Sequence, residues 1–348
     1  MALVLVLFLS PAISWAAEKP ASVTKTTWND IFSDIIGHYP LPKLESDDSD
    51  FEKIIKLDIP KNWEFNVEAK RYIESHTTYE FGNPSAPYTK PLSRLKFPMN
   101  TWWMNFDLRR TLPRWSVGGH GGLCLSTRSD GWMQDWDWTS VGSANIMSNY
   151  GKGYCHILDS FQFGGDVDVN ISDWLRLPPG LEMRPLFAFR FQRLAFLDHD
   201  GEQYDYLPAY DNYGFVGDSI RFRQDWYTYM IGMRGSYSVK LSKHATVKIK
   251  GEADWGPALG YNLDEHLRRN GRLTTENSVG NALYFLAGVD MVIAKTVTIG
   301  VGVDYMFIRT SGSHRWWDPG EGLDTATRDG VNVWSDQLGL SMHASYAF

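Results

Sequence analysis

From Trp63 onward the chain alternates. Apolar and polar residues take turns with the period of two that puts successive side chains on opposite faces of a β-strand. In 245–256, Val247, Ile249, Gly251, Ala253 and Trp255 share one face, and Lys248, Lys250, Glu252 and Asp254 the other. In 155–171, Phe161, Phe163, Val167 and Val169 oppose Gln162, Asp166 and Asp168. Ten such segments can be marked, roughly 63–82, 92–108, 114–127, 155–171, 182–197, 219–238, 245–256, 277–291, 295–310 and 334–348. The gaps after odd segments are long and those after even segments short. Outer-membrane barrels show this pattern, with short periplasmic turns and long outer loops. The last segment, Met342-x-Ala344-x-Tyr346-x-Phe348, has the alternation and terminal Phe of a closing barrel strand. The expected fold is all-β: a ten-stranded antiparallel transmembrane β-barrel with long extracellular loops, closed because lipid tolerates no unpaired edge. A soluble sandwich or lipocalin-like barrel would also alternate, but would not need the long and short gaps.

Composition agrees. No later stretch reaches about 18 uncharged apolar residues, so helical spans are excluded. Aromatics at 14% and 31 glycines beside 22% charged residues suit a barrel that alternates its apolar residues. A net charge of −7 without a basic cluster argues against nucleic acid as a partner. Residues 1–17 read as a signal peptide: an apolar run Leu3 to Leu9, then Pro11, then small residues around Ser14-Trp15-Ala16-Ala17. Residues 18–62 read as an N-terminal periplasmic extension, and 63–348 as the barrel. Cys124 and Cys155 make no disulfide framework; alternation puts Cys124 inside and Cys155 outside, which disfavours a bridge. Gly118-Gly119-His120-Gly121-Gly122 lacks the strand–helix setting of a phosphate loop. The sequence has no H-E-x-x-H, C-x-x-C or G-x-S-x-G.

Two stretches carry the chemistry. Gly131 to Trp138 sets Asp135 and Asp137 among Trp132, Trp136 and Trp138, in what reads as the second outer loop. Asp264-Glu265-His266 lies in the fourth. Asp264 and His266 share the parity of Lys250, Glu252 and Asp254, and so face the lumen. Glu80 shares the parity of Glu74, His76 and Thr78, and is expected to face the lumen too. A histidine beside a carboxylate can act as a general base, with the carboxylate fixing its tautomer. An opposing carboxylate pair could hold a water. The plainer reading is a solvated acidic rim.

These residues resemble the omptins, ten-stranded outer-membrane aspartate/histidine proteases of Gram-negative bacteria. Gly131, Met133, Asp135, Asp137 and Trp138 match the family's G-x-M-x-D-x-D-W, and Asp264, Glu265 and His266 match its D-E-H. Arg272-Leu273-Thr274 resembles the R-I-T that follows, and His156, with Asp168 and Asn170 beyond it, falls near a family loop histidine. The resemblance implies peptide hydrolysis by a water held between Asp135 and His266, with Asp264 orienting His266 and Asp137 supporting Asp135. It implies that Glu80 and the residue at position 262 bind the basic substrate side chain, and that cleavage falls between basic residues. It also implies a lipopolysaccharide requirement, with Arg193 on the outer wall as one lipid contact, and neither cofactor nor metal.

The chain departs from the family pattern at several points. An acid of the substrate pocket is Asn262, and a further loop acid is Lys152. Two of the aligned lipid-contact positions hold Phe191 and Asp225. The expected function is thus an omptin-like endopeptidase acting on peptide or protein as a monomer in the outer membrane, its site facing outside. The alternative is a non-enzymatic barrel, porin-like, adhesive or structural.

Overall fold

The computed structural model describes residues 62–82, 91–141, 144–206, 212–269 and 271–348. The signal peptide read at 1–17 and the extension read at 18–62, but for Asn62, lie outside the described residues.

Thirteen β-segments follow one another: β1 (Trp63–Gly82), β2 (Pro91–Pro98), β3 (Trp102–Thr111), β4 (Trp115–Cys124), β5 (Arg128–Val141), β6 (Ala144–Ile157), β7 (Phe161–Val169), β8 (Leu181–Asp205), β9 (Tyr213–Lys240), β10 (Ala245–His266), β11 (Arg272–Ile293), β12 (Val297–Asp318) and β13 (Leu323–Ala347). Three short breaks divide single strands. β2 and β3 both pair with β1, β4 and β7 pair below while β5 and β6 pair above, and β8 pairs with both β6 and β7. Joined across the breaks they make a ring of ten antiparallel strands, closed by β1 against β13. The stretches expected to be long loops are mostly strand. β10 runs unbroken to His266, and β5 and β6 form a hairpin through Asp135 and Asp137. Asp135, Asp137, Asp264 and His266 therefore stand on strands, where the ladder fixes them.

The outer face carries an apolar belt. Ile249, Trp255, Phe285, Ile299, Val301, Leu340 and Met342 are exposed, a pattern suited to lipid and to nothing aqueous. Inside, near the chain ends, charges are paired: Lys70 Nζ lies 2.9 Å from Asp304, Arg190 3.1 Å from both Glu252 and Asp254, Arg234 2.6 Å from Glu252, and Arg109 2.6 Å from Asp166. Cavities of about 230 and 340 Å³ lie among these side chains. Above them Trp103, Trp226, Phe97, Phe196, Phe222 and Met99 are fully buried and fill the lumen. Among the described residues, these side chains fill the lumen at this level.

The breaks fall side by side and join across the strands. Met99 N–H donates to Ser75 O at 2.8 Å, Leu125 N–H to Trp102 O at 2.8 Å, Cys124 N–H to Ser160 O at 3.1 Å and Ile157 N–H to Thr127 O at 2.9 Å. β1 has its own irregularity at this level. Its register with β13 shifts between Ile73 and His76, and Glu74 takes φ 48°, the left-handed region. One extra residue reverses the inside and outside of everything beyond it.

Two expectations fail because strand phase changes at this level. Glu80 faces outward, where Arg94 Nε donates to it at 2.7 Å; Tyr79 takes the inward place and is fully buried. Cys155 faces inward opposite Asp198, because its strand breaks at 158–160. Lys152 lies outside with Glu202 at 3.0 Å. Cys124 and Cys155 are both free thiols.

Phe222 is stacked on Phe97 at 4.3 Å and on Tyr79 at 5.3 Å and has no exposed surface. Phe222→Ala should lower unfolding stability by about 3–5 kcal/mol, the range for a buried aromatic truncation, as read by denaturant titration in detergent.

Candidate active site

Beyond the belt the hairpins continue. On β10 the last exposed apolar residue is Leu259, and Asn262, Asp264 and His266 follow on the inner face. No bulge interrupts β10 in its register with β11, so lumenal parity is carried from Lys248 to His266. His266 Nε2 stands 3.5 Å from Asp264 Oδ2. Asp264 has no exposed surface, and Tyr79 donates its hydroxyl to the same oxygen, Oδ2. Glu265, between them, points outward and pairs with Arg221 at 2.8 Å.

The second half comes from β5. Leu95 pairs with Asp135 and Ser93 with Asp137 across β2 and β5, so all four share the inner face with Tyr79 and Phe81. Ser93 Oγ donates a long hydrogen bond, 3.4 Å, to Asp135 Oδ1. Burial pushes the Asp135 carboxyl well above the ordinary carboxylate range, and the charges of Asp137 and Asp264 push the same way. Burial raises Asp137 too, while hydrogen bonds from Ser93 and Asn149 and the nearby Arg269 and His266 pull it back. The two halves thus lie within electrostatic reach of each other. Both carboxyls are thus pushed upward, Asp135 in part by the charge of Asp137.

Next to Asp264 lies a group that the sequence reading missed. Glu276 stands opposite Asn262 on β11, has no exposed surface, and meets His314 Nδ1 at 2.8 Å. His314 stacks on Phe81 at 4.3 Å. Burial raises the Glu276 carboxyl, and Asp264 adds to the rise while His314 opposes it. Parity counted back from Asp290 along β11 puts Glu276 inside, so a signal was present. Tyr79 had none, because the bulge at Glu74 hid it. Asn262 Oδ1 accepts from Gln224 Nε2 at 3.0 Å, so it lines the wall as expected.

Two expected residues stand apart. Glu80, on the outer face, does not join the pocket. Arg193 is on the outer wall as expected, beside Phe161 and Phe191, but its guanidinium is held by both oxygens of Asp225 at 2.7 and 2.8 Å. His156 also faces out, 4.0 Å from the ring of His199. Among the described residues no His, Cys, Asp and Glu side chains gather to form a metal site.

A carboxyl with a higher pKa in the folded chain binds more protons than the unfolded chain does, so stability falls as pH rises through that window. Asp137→Asn should lower the titration midpoint of Asp135 and flatten this fall above about pH 4. Carboxyl-carbon NMR and unfolding measured against pH would read both; an unchanged Asp135 midpoint would refute the coupling.

The sequence pattern of the Omptin family matches residues 90–322. No curated protein matches the chain. Among solved structures, the outer membrane protease OmpT from Escherichia coli is similar with a TM-score of 0.72 at 14% identity, covering 83% of this chain and 97% of that one. The translocator domain of the autotransporter NalP from Neisseria meningitidis covers 86% of this chain and 95% of its own, with a TM-score of 0.36 and 8% identity.

Proposed function

Because the chain belongs to the omptin family, an outer-membrane barrel lineage, we propose that it is an endopeptidase whose attacking water is held between the Asp135/Asp137 pair and His266. The observation that carries this reading is the His266–Asp264 couple on unbroken β10, with the inward-facing Asp135 and Asp137 within electrostatic reach of it. Asp264 stands at Nε2 of the imidazole, so the tautomer with Nε2–H toward Asp264 leaves Nδ1 as the base. Water gives a proton to Nδ1 as its oxygen adds to the scissile carbonyl. The proton held by Asp135 and Asp137 supports the developing oxyanion, and the imidazolium protonates the departing amine. The products are a carboxylic acid and an amine.

Substrate choice follows from the corrected wall. With Glu80 outside and Asn262 uncharged, the acid beside Asp264 is Glu276, whose carboxyl is already engaged by His314. Cleavage between two basic residues is therefore weakly supported. The hairpins that carry the site would face outside the cell, and the barrel would act as a monomer. A lipopolysaccharide requirement is part of the proposal, but contact through Arg193 has to compete with the Asp225 pair. The filled lumen speaks against the porin-like alternative; an adhesive or structural barrel would be indifferent to His266.

The test is cleavage of a peptide library in micelles, with and without lipopolysaccharide. His266→Ala should lose about 10²–10⁴-fold in kcat/KM, the usual contribution of a general base. Equal cleavage by wild type and variant would end the proposal. Glu80→Gln, on the outer face, should cleave like wild type; a large loss there would restore the lumenal role that its parity suggested.

A further inference from the structure

We propose that Tyr79 is a positioning residue of this site: its hydroxyl fixes the Asp264 carboxylate so that one oxygen serves His266. This deepens the endopeptidase reading and rests on it.

The geometry is specific. Tyr79 enters from β1, on the far side of the lumen from β10, and donates to Asp264 Oδ2. That same oxygen lies 3.5 Å from His266 Nε2. At that separation the imidazole alone holds the carboxylate poorly. The other oxygen, Oδ1, is buried without a partner. A carboxylate turns easily about its last torsion, so the phenol hydroxyl is what decides which oxygen faces the histidine. The phenol itself is held on both faces. Its ring stacks on Phe222 at 5.3 Å and 11° and on Phe81 at 6.1 Å and 17°. Phe222 is also the cross-strand neighbour of Asp264 on β9. The group that orients Asp264 is thus braced by the residue beside Asp264.

The charge balance of the cleft makes such a donor necessary. Facing the couple are Asp135 and Asp137 from β5, Glu276 from β11 with His314 from β12, Asp198 from β8, and Arg269 beyond β10. Many acids share few cations, so protons settle on the carboxylates that are least supported. Burial holds the Tyr79 hydroxyl well above its usual range, so it stays a donor at every working pH. Its bond is made to the Asp264 oxygen that faces His266, where the mechanism needs an anion.

Tyr79→Phe removes the hydroxyl and keeps the ring and its stacks. The neutral-imidazole state of the couple then loses support for its anion, so the couple holds its proton more tightly, whichever group carries it. In histidine NMR titration in micelles, the His266 midpoint should rise by about one pH unit, as for a lost hydrogen bond to a charged group. The acid limb of kcat should move up with it, with KM changed less than about twofold. A His266 midpoint equal to that of wild type, in a variant with wild-type circular dichroism, would overturn the proposal. A wild type that cleaves no peptide would remove the endopeptidase reading, and the titration would still decide the role of Tyr79.

Discussion

The ladder between β1 and β13 runs from Glu64 opposite Ala347 to Phe81 opposite Val331 and removes the last free strand edge. In a hydrocarbon phase every backbone N–H and C=O must find a partner, so this closure is the condition for the rest. Closure also divides the side chains into two populations. Those facing out are sorted for lipid, and those facing in are confined with one another. Lys70, Arg109, Arg190 and Arg234 would be costly alone inside a narrow barrel; each stands against carboxylates within about hydrogen-bond distance.

Confinement also explains the vertical order of the interior. Ion pairs and small cavities occupy the end near the termini, and a packed aromatic layer lies above. That layer gives the site a dry floor. Phe97, Phe196 and Phe222 pack on one another and on Tyr79 next to Asp264, so the nearby acids face an apolar surface on one side. Their proton affinity is a product of this packing as much as of their mutual repulsion.

How much could be read from the sequence depended on whether a strand crossed the irregular level. β10 does not, and counting by twos from Lys248 found Asp264 and His266 on the inner face. The ten strands and their order were likewise legible, because the belt obeys the period of two. β1 does cross that level, and the same counting chose Glu80 over Tyr79. Cys155 was misplaced for the same reason. A bulge leaves no mark in an apolar–polar pattern, since Glu74 is an ordinary surface-type residue. The outer hairpins were read as loops because Gly, Asp and Trp at 128–138 look like loop composition, yet these residues pair regularly with β2 and β6. Glu276 was within reach of the method and was passed over because no motif marked it.

The aligned breaks in β1 to β7 join two stacked rings that need not keep the same phase. Below them, phase is held by lipid on one side and paired charges on the other. Above them, the phase is reversed by the bulge in β1 and across the breaks at 125–127 and 158–160, and is kept across 99–101. Loss of the inserted residue would close the bulge and leave Tyr79 in the cleft and Glu80 outside, whereas straightening the strand at its present length would exchange the two, while the belt kept its pattern. Straightening this bulge is thus a larger change to the wall of the cleft than most substitutions in it. The inner wall of such a scaffold can change through strand register as well as through side chains.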